Sequence, residues 1–183
     1  MNVVDLWLPI LLTGLATHIL STIAWMILPH HKPEWKRLPL EDEFLGWMHK
    51  NSVPSGQYIF PYAGDGAEAQ SDAFKQKQSK GTGMLTVWPT PTNMGKAIGF
   101  TFAYFMFAAF VIGYLSSIAL PAGAPFMRVL QFTTTVGLVM FCAAHFPHAF
   151  WFRRKVAMEL LDGCAFAFAT GLIFASLWPS AHS

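Results

Sequence analysis

Two histidines and two carboxylates stand inside apolar sequence in the last quarter of the chain. His145 and His148 are three residues apart, as are Glu159 and Asp162, a spacing that puts each pair on one helix face. In an antiparallel hairpin, equal steps from the connecting turn bring His148 level with Glu159 and His145 level with Asp162. Imidazoles facing carboxylates at the edge of a membrane could hold a transition metal or relay protons. Pro147, between the histidines, frees the carbonyl of Ala143 wherever it sits in a helix. A plainer role stays open: charged groups near a span end reach water by snorkelling, and an acid near a helix N-terminus is favoured by the dipole. Arg153 and Arg154 are close enough in sequence to neutralise both acids. A di-iron centre is disfavoured, because it takes about four carboxylates and two histidines from four helices.

His18 is the other intramembrane candidate. An ionisable side chain in mid-span is a functional hypothesis by default, here as a cofactor ligand; the alternative is a neutral ring hydrogen-bonded to Thr17, Ser21 or a neighbouring helix. Haem held by two histidines of this chain is disfavoured, since His145 lies about 7 Å closer to one membrane face. Haem or quinone shared with another subunit stays open. His30 and His31, with Glu34, read as solvated interfacial residues, since neighbouring histidines do not readily share one tetrahedral ion and the usual ligand spacings are absent. Cys142 and Cys164 read as inert buried thiols; Cys164, about 200° around its helix from Asp162, should face away if Asp162 faces the third span. The chain has no phosphate-binding glycine loop, nucleophile elbow, His-Glu-x-x-His or Cys-x-x-Cys.

Four apolar stretches must position these groups: Leu6–Leu28, Ala97–Leu120, Val129–Phe150 and Val156–Trp178. Each is close to the ~20 residues that a helix needs to cross a bilayer. Hydrophobic residues make up 54% of the chain and charged residues 12%, about half the ~25% of soluble domains; mean hydropathy is +0.40. The fold class is therefore all-α: a polytopic membrane protein of four transmembrane helices, with one extramembrane segment between helices 1 and 2. At 183 residues it reads as a single membrane domain, 1–183. A net charge of +2 is too small and too scattered to suggest nucleic acid, and none is expected as a partner. The first stretch lacks a basic leader and is long enough to stay as a span.

Orientation follows from Lys and Arg. Eleven of the twelve lie in residues 30–96 or in Arg153–Lys155, and only Arg128 falls on the opposite side. The positive-inside rule puts residues 30–96 and 151–156 in the cytoplasm and both termini outside. Within the cytoplasmic segment, Leu40, Phe44, Trp47 and Met48 share a face of a short helix opened by Pro39 and the acids 41–43. Ser55–Pro61 reads as a turn and an extended piece. Residues 64–83 read as a flexible loop or a surface completed by a partner.

The spans carry packing cues. Gly163, Ala167, Gly171 and Ala175 form a groove of small side chains along the fourth, and Gly14, His18, Ser21 and Trp25 form a small-and-polar stripe on the first. Phe100, Phe102, Phe105, Phe107 and Phe110 wrap the second, which suits a lipid-facing or partner-facing helix.

Several blocks carry a resemblance: Pro29-His30-His31-Lys32, Leu38-Pro39-Leu40-Glu41-Asp42, Gly56-Gln57-Tyr58-Ile59-Phe60-Pro61, Asn93-Met94-Gly95-Lys96, and Asp162-Gly163 with Leu177-Trp178-Pro179. Together they resemble a family of small four-helix bacterial inner-membrane proteins with no assigned activity. The resemblance spans most of the chain; it implies a bacterial inner-membrane location and the four-helix fold, and it carries over no functional residue. That family often has an aromatic residue where Cys164 or Ala165 stands here. The expected function is a non-catalytic accessory or assembly subunit, with the lipid bilayer and other membrane subunits as partners. The alternative is a small protein that binds a metal, haem or quinone, or conducts ions, through the intramembrane histidines and carboxylates.

Overall fold

A computed structural model describes residues 1–181. Among the described residues, four helical stretches are long and apolar enough to cross a membrane: Val3–Ile27, Met94–Ala119, Phe126–Phe152 and Ala157–Ser176. All four start and end within three residues of the limits expected from sequence. In hydrocarbon every backbone N–H and C=O must be satisfied within the segment, so apolar runs of this length fold as helices. The protein is an integral membrane protein of all-α class, with one small hairpin outside the spans.

The chain divides into two compact units, Arg37–Thr92 and the rest. In the larger unit, span one begins with a 3₁₀ turn, Val3–Leu6, capped by the Asn2 side chain. It continues as α1 (Trp7–Thr22) and closes with a π-helical turn, Ile23–Ile27. Asn93 caps the start of the second span by accepting a hydrogen bond from the Lys96 amide, and Pro121 follows its end at Ala119. The third span breaks at Ala143–Ala144, between Phe126–Cys142 and His145–Phe152. Pro147 explains the break: it has no N–H to donate and its ring crowds the carbonyl of Ala143, so the helix restarts with the proline in its first turn.

Small residues decide the packing. On the fourth span, a Cβ at Gly163 would meet the Phe141 carbonyl and the Cys142 sulfur, and one at Gly171 would meet the Thr134 side chain; at Gly137 of the third span it would come 3.0 Å from the Ala167 Cα. The third and fourth spans therefore press together along the expected Gly163–Ala175 groove. Span one packs on the second, with Gly14 against Met106 and Gly113 against Ile10. Leu6, Phe105, Ile112, Val129, Phe166 and Phe174 fill the core, while Phe100, Phe102, Phe107 and Phe110 face outward. The buried hydroxyls of Thr17, Ser116, Thr133 and Thr170 each return a 2.7 Å hydrogen bond to the carbonyl four residues back.

In the smaller unit, α2 (Glu41–Lys50) precedes an antiparallel hairpin, β1 (Gly56–Phe60) and β2 (Gly83–Val87), with Tyr58 opposite Leu85. The stretch expected as a loop or partner-completed surface is ordered as α3 (Gly66–Gln70) and α4 (Asp72–Lys80). The Asp65 and Ser71 side chains cap these helices by accepting from the Glu68 and Phe74 amides. For the remaining helices, α5 denotes Met94–Ala119, α6 Phe126–Cys142, α7 His145–Phe152 and α8 Ala157–Ser176.

Candidate metal centre

The first span does not end cleanly. Its π-helical turn closes with the Leu28 amide donating to the Ile23 carbonyl, and Pro29 follows. The chain then folds into two tight turns, Lys32 N–H to Pro29 and Glu34 N–H to His31, at 3.0 Å each. This places both rings of His30 and His31 on one side of the turn, with centroids 4.3 Å apart. The indole of Trp25, carried on the π turn, stacks flat on His31 at 3.8 Å.

Asp162, in the second turn of α8, faces these rings. Its Oδ1 is 3.0 Å from His30 Nε2 and its Oδ2 is 2.9 Å from His31 Nε2; Glu34 Oε2 lies 2.7 Å from His31 Nδ1. His31 and Asp162 are buried, at 5% and 8% exposure. A neutral imidazole has one N–H and one lone pair. With both nitrogens of His31 against carboxylate oxygens, one nitrogen would set lone pair against lone pair unless a cation lies between. A proton is the minimum cation that resolves this. Burial by itself lowers the His31 pKa, but the hydrogen bonds to Glu34 and Asp162, together with their charges, outweigh it and raise the value.

A metal ion resolves the same conflict. One ligand atom from each of His30, His31 and Asp162 lies within 4.8 Å of the others. An ion ~2.1 Å from each would set them about 3.4 Å apart; the two histidines now reach different oxygens of Asp162, so a small turn of the carboxylate or the rings would bring one oxygen to both. Two imidazoles and a carboxylate suit zinc, iron or manganese. Glu34 behind His31 is the outer carboxylate that fixes the tautomer and strengthens a ligating histidine.

The four residues singled out near the third and fourth spans do not form one site. Glu159 pairs with His145, Oε2 to Nδ1 at 3.2 Å, and with Arg154, Oε1 to Nη2 at 3.1 Å. The His145 contact is close enough for charge pairing but off hydrogen-bond alignment, which leaves Oε2 a buried acceptor with no hydrogen bond among the described residues. Asp162 turns to His30 and His31 instead of His145, and His148 is exposed, its ring beside Phe152. The observed pairing is three residues out of the expected register, His145 and not His148 meeting Glu159, and the third span is interrupted at Ala143–Ala144 just before these residues. His30 and His31 correct the expectation of solvated residues, since the turn folds them inward. Cys142 is buried as expected, but Cys164 is exposed on α8. His18 meets the ring edges of Phe102 and Phe105, at 5.3 and 6.3 Å, and its buried Nδ1 has no hydrogen-bond partner among the described residues.

Comparison with protein families, with curated proteins and with solved structures gives no match to this chain. The site is read from its own geometry. One signal for it was present in the sequence: a carboxylate within a span needs a partner, and His-His-x-x-Glu follows the end of another span.

Proposed function

We propose that this integral membrane protein holds a transition-metal ion at one end of its helical bundle, ligated by His30, His31 and Asp162, with Glu34 orienting His31. The observation that carries the reading is His31, whose two nitrogens each face a carboxylate and so require a cation. The excess of basic residues in 30–96 and Arg153–Lys155 supports a cytoplasmic position for this end. The test is metal content by elemental analysis, and titration with zinc and cobalt, on protein purified in detergent and stripped with chelator. About one ion per chain is expected, with loss of binding in both His31→Ala and Asp162→Asn. Wild-type protein that takes up no metal would leave the proton as the only occupant and overturn the proposal.

A second reading, an accessory or assembly subunit, has its own support. Phe74 is the single buried hydrophobic side chain among the described residues of the Arg37–Thr92 unit, while Trp47, Ile59, Phe60, Tyr62 and Trp88 are exposed. So small a core suits a surface that another subunit covers. Native mass spectrometry of protein extracted gently from its own membrane tests this: reproducible extra subunits support it, and a bare monomer argues against it.

A further inference from the structure

A cavity of about 350 Å³ opens beside the metal site, lined by Trp25, Glu34, Trp35, Arg153, Arg154, Lys155 and Glu159. Its walls come from the π-helical turn of the first span, the short turn after His31, and the α7–α8 connection. Both wall carboxylates are already committed: Glu34 to His31, and Glu159 to Arg154 and His145. The cations are not balanced in the same way. Arg153 makes no hydrogen bond or ion pair among the described residues, and the Lys155 ammonium donates only to the Pro33 carbonyl, at 3.3 Å. Arg153 also occupies a left-handed turn, φ 50°, where glycine is the easier residue. α8 begins at this mouth with no side-chain cap, so its first amides and the positive end of its dipole add to the same field. The cavity therefore presents surplus positive charge.

The setting selects the form of the anion. Three span ends meet here, at Ile27, Phe152 and Ala157. Trp25 and Trp35 are exposed at the cavity, and Phe150, Trp151 and Phe152, just before Arg153, are exposed apolar surface on which an acyl chain can lie. Basic pockets between helix ends at this depth fit phosphate headgroups. We infer that the cavity binds the headgroup of an anionic phospholipid, its phosphate between Arg153 and Lys155. This goes beyond the metal reading and does not depend on it.

The test counts lipids bound to the purified protein by native mass spectrometry, in mixed micelles containing phosphatidylglycerol, phosphatidylethanolamine or phosphatidylcholine. Phosphatidylglycerol is expected to be retained in preference to both others, and inorganic phosphate at millimolar concentration not to displace it. The double variant R153Q/K155Q should weaken retention roughly 30-fold, two surface cations' worth of attraction. R128Q, a charge change at the opposite side by the basic-residue topology, should leave retention unchanged. Both changed side chains are exposed, and an unaltered melting temperature verifies that the double variant folds. Equal retention of the three lipids, no effect of R153Q/K155Q, or displacement by free phosphate would each overturn the assignment.

Discussion

Removing one oxygen behind His31 distinguishes a metal site from a hydrogen-bonded turn. Glu34→Gln keeps the shape of the side chain but loses the charge that supports the imidazole, so zinc affinity should fall 10- to 100-fold by calorimetry. His148→Ala should leave zinc affinity unchanged, since His148 is exposed and makes only a ring contact with Phe152. Without metal, the raised pKa of His31 means that the folded protein holds its proton more tightly than the unfolded chain does. That stabilisation is complete below the unfolded value of about 6.5 and is lost as pH rises through the folded value. Metal-free protein should therefore melt at a lower temperature at pH 8.5 than at pH 6, and Glu34→Gln should flatten the difference. At this scale the sequence was informative about Asp162 and His18, as ionisable groups at membrane depth. It pointed to His145 as the partner of Asp162 and missed His30 and His31, because which way an acid points around its helix depends on helix rotation. Here that rotation joins it to a turn more than a hundred residues away.

Helix contact is where glycine substitutions become informative. At Gly137 an added Cβ would press on the Ala167 backbone of α8, so Gly137→Val should lower stability by about 1–3 kcal/mol. At Gly99 the same atom meets open space, and Gly99→Ala should be neutral or stabilising by up to about 1 kcal/mol. Thermal melts in one detergent would compare the two; equal effects would count against the close α6–α8 packing. The spans were legible because their apolar length has one physical solution in lipid, and the groove of α8 because small residues recurred every fourth position. The hairpin partner β2 was not legible: Met84, Leu85, Thr86 and Val87 form too short a run to declare a strand before Tyr58 and Ile59 are opposite them. The caps at Asp65 and Ser71 were likewise readable only once the helices behind them were given.

For the molecule as a whole, the two termini and the Arg37–Thr92 unit should lie on opposite sides of the membrane. In a background lacking Cys142 and Cys164, a cysteine placed at Asn2 should react with an impermeant maleimide added outside spheroplasts, and one at Ser79 only after lysis. The reverse pattern would invert the orientation and move the proposed metal centre to the outer face. The centre also has a history in the ribosome's reading direction. Its histidines are synthesised first and its carboxylate 131 residues after His31, on the fourth of the described spans. Until that helix leaves the insertion machinery, the nascent chain offers the two histidines and Glu34 without Asp162, the carboxylate that faces both rings. Ion capture at the proposed centre would therefore report that all four spans have arrived, and nascent chains stalled before Asp162 should remain metal-free where those released after Ser176 do not.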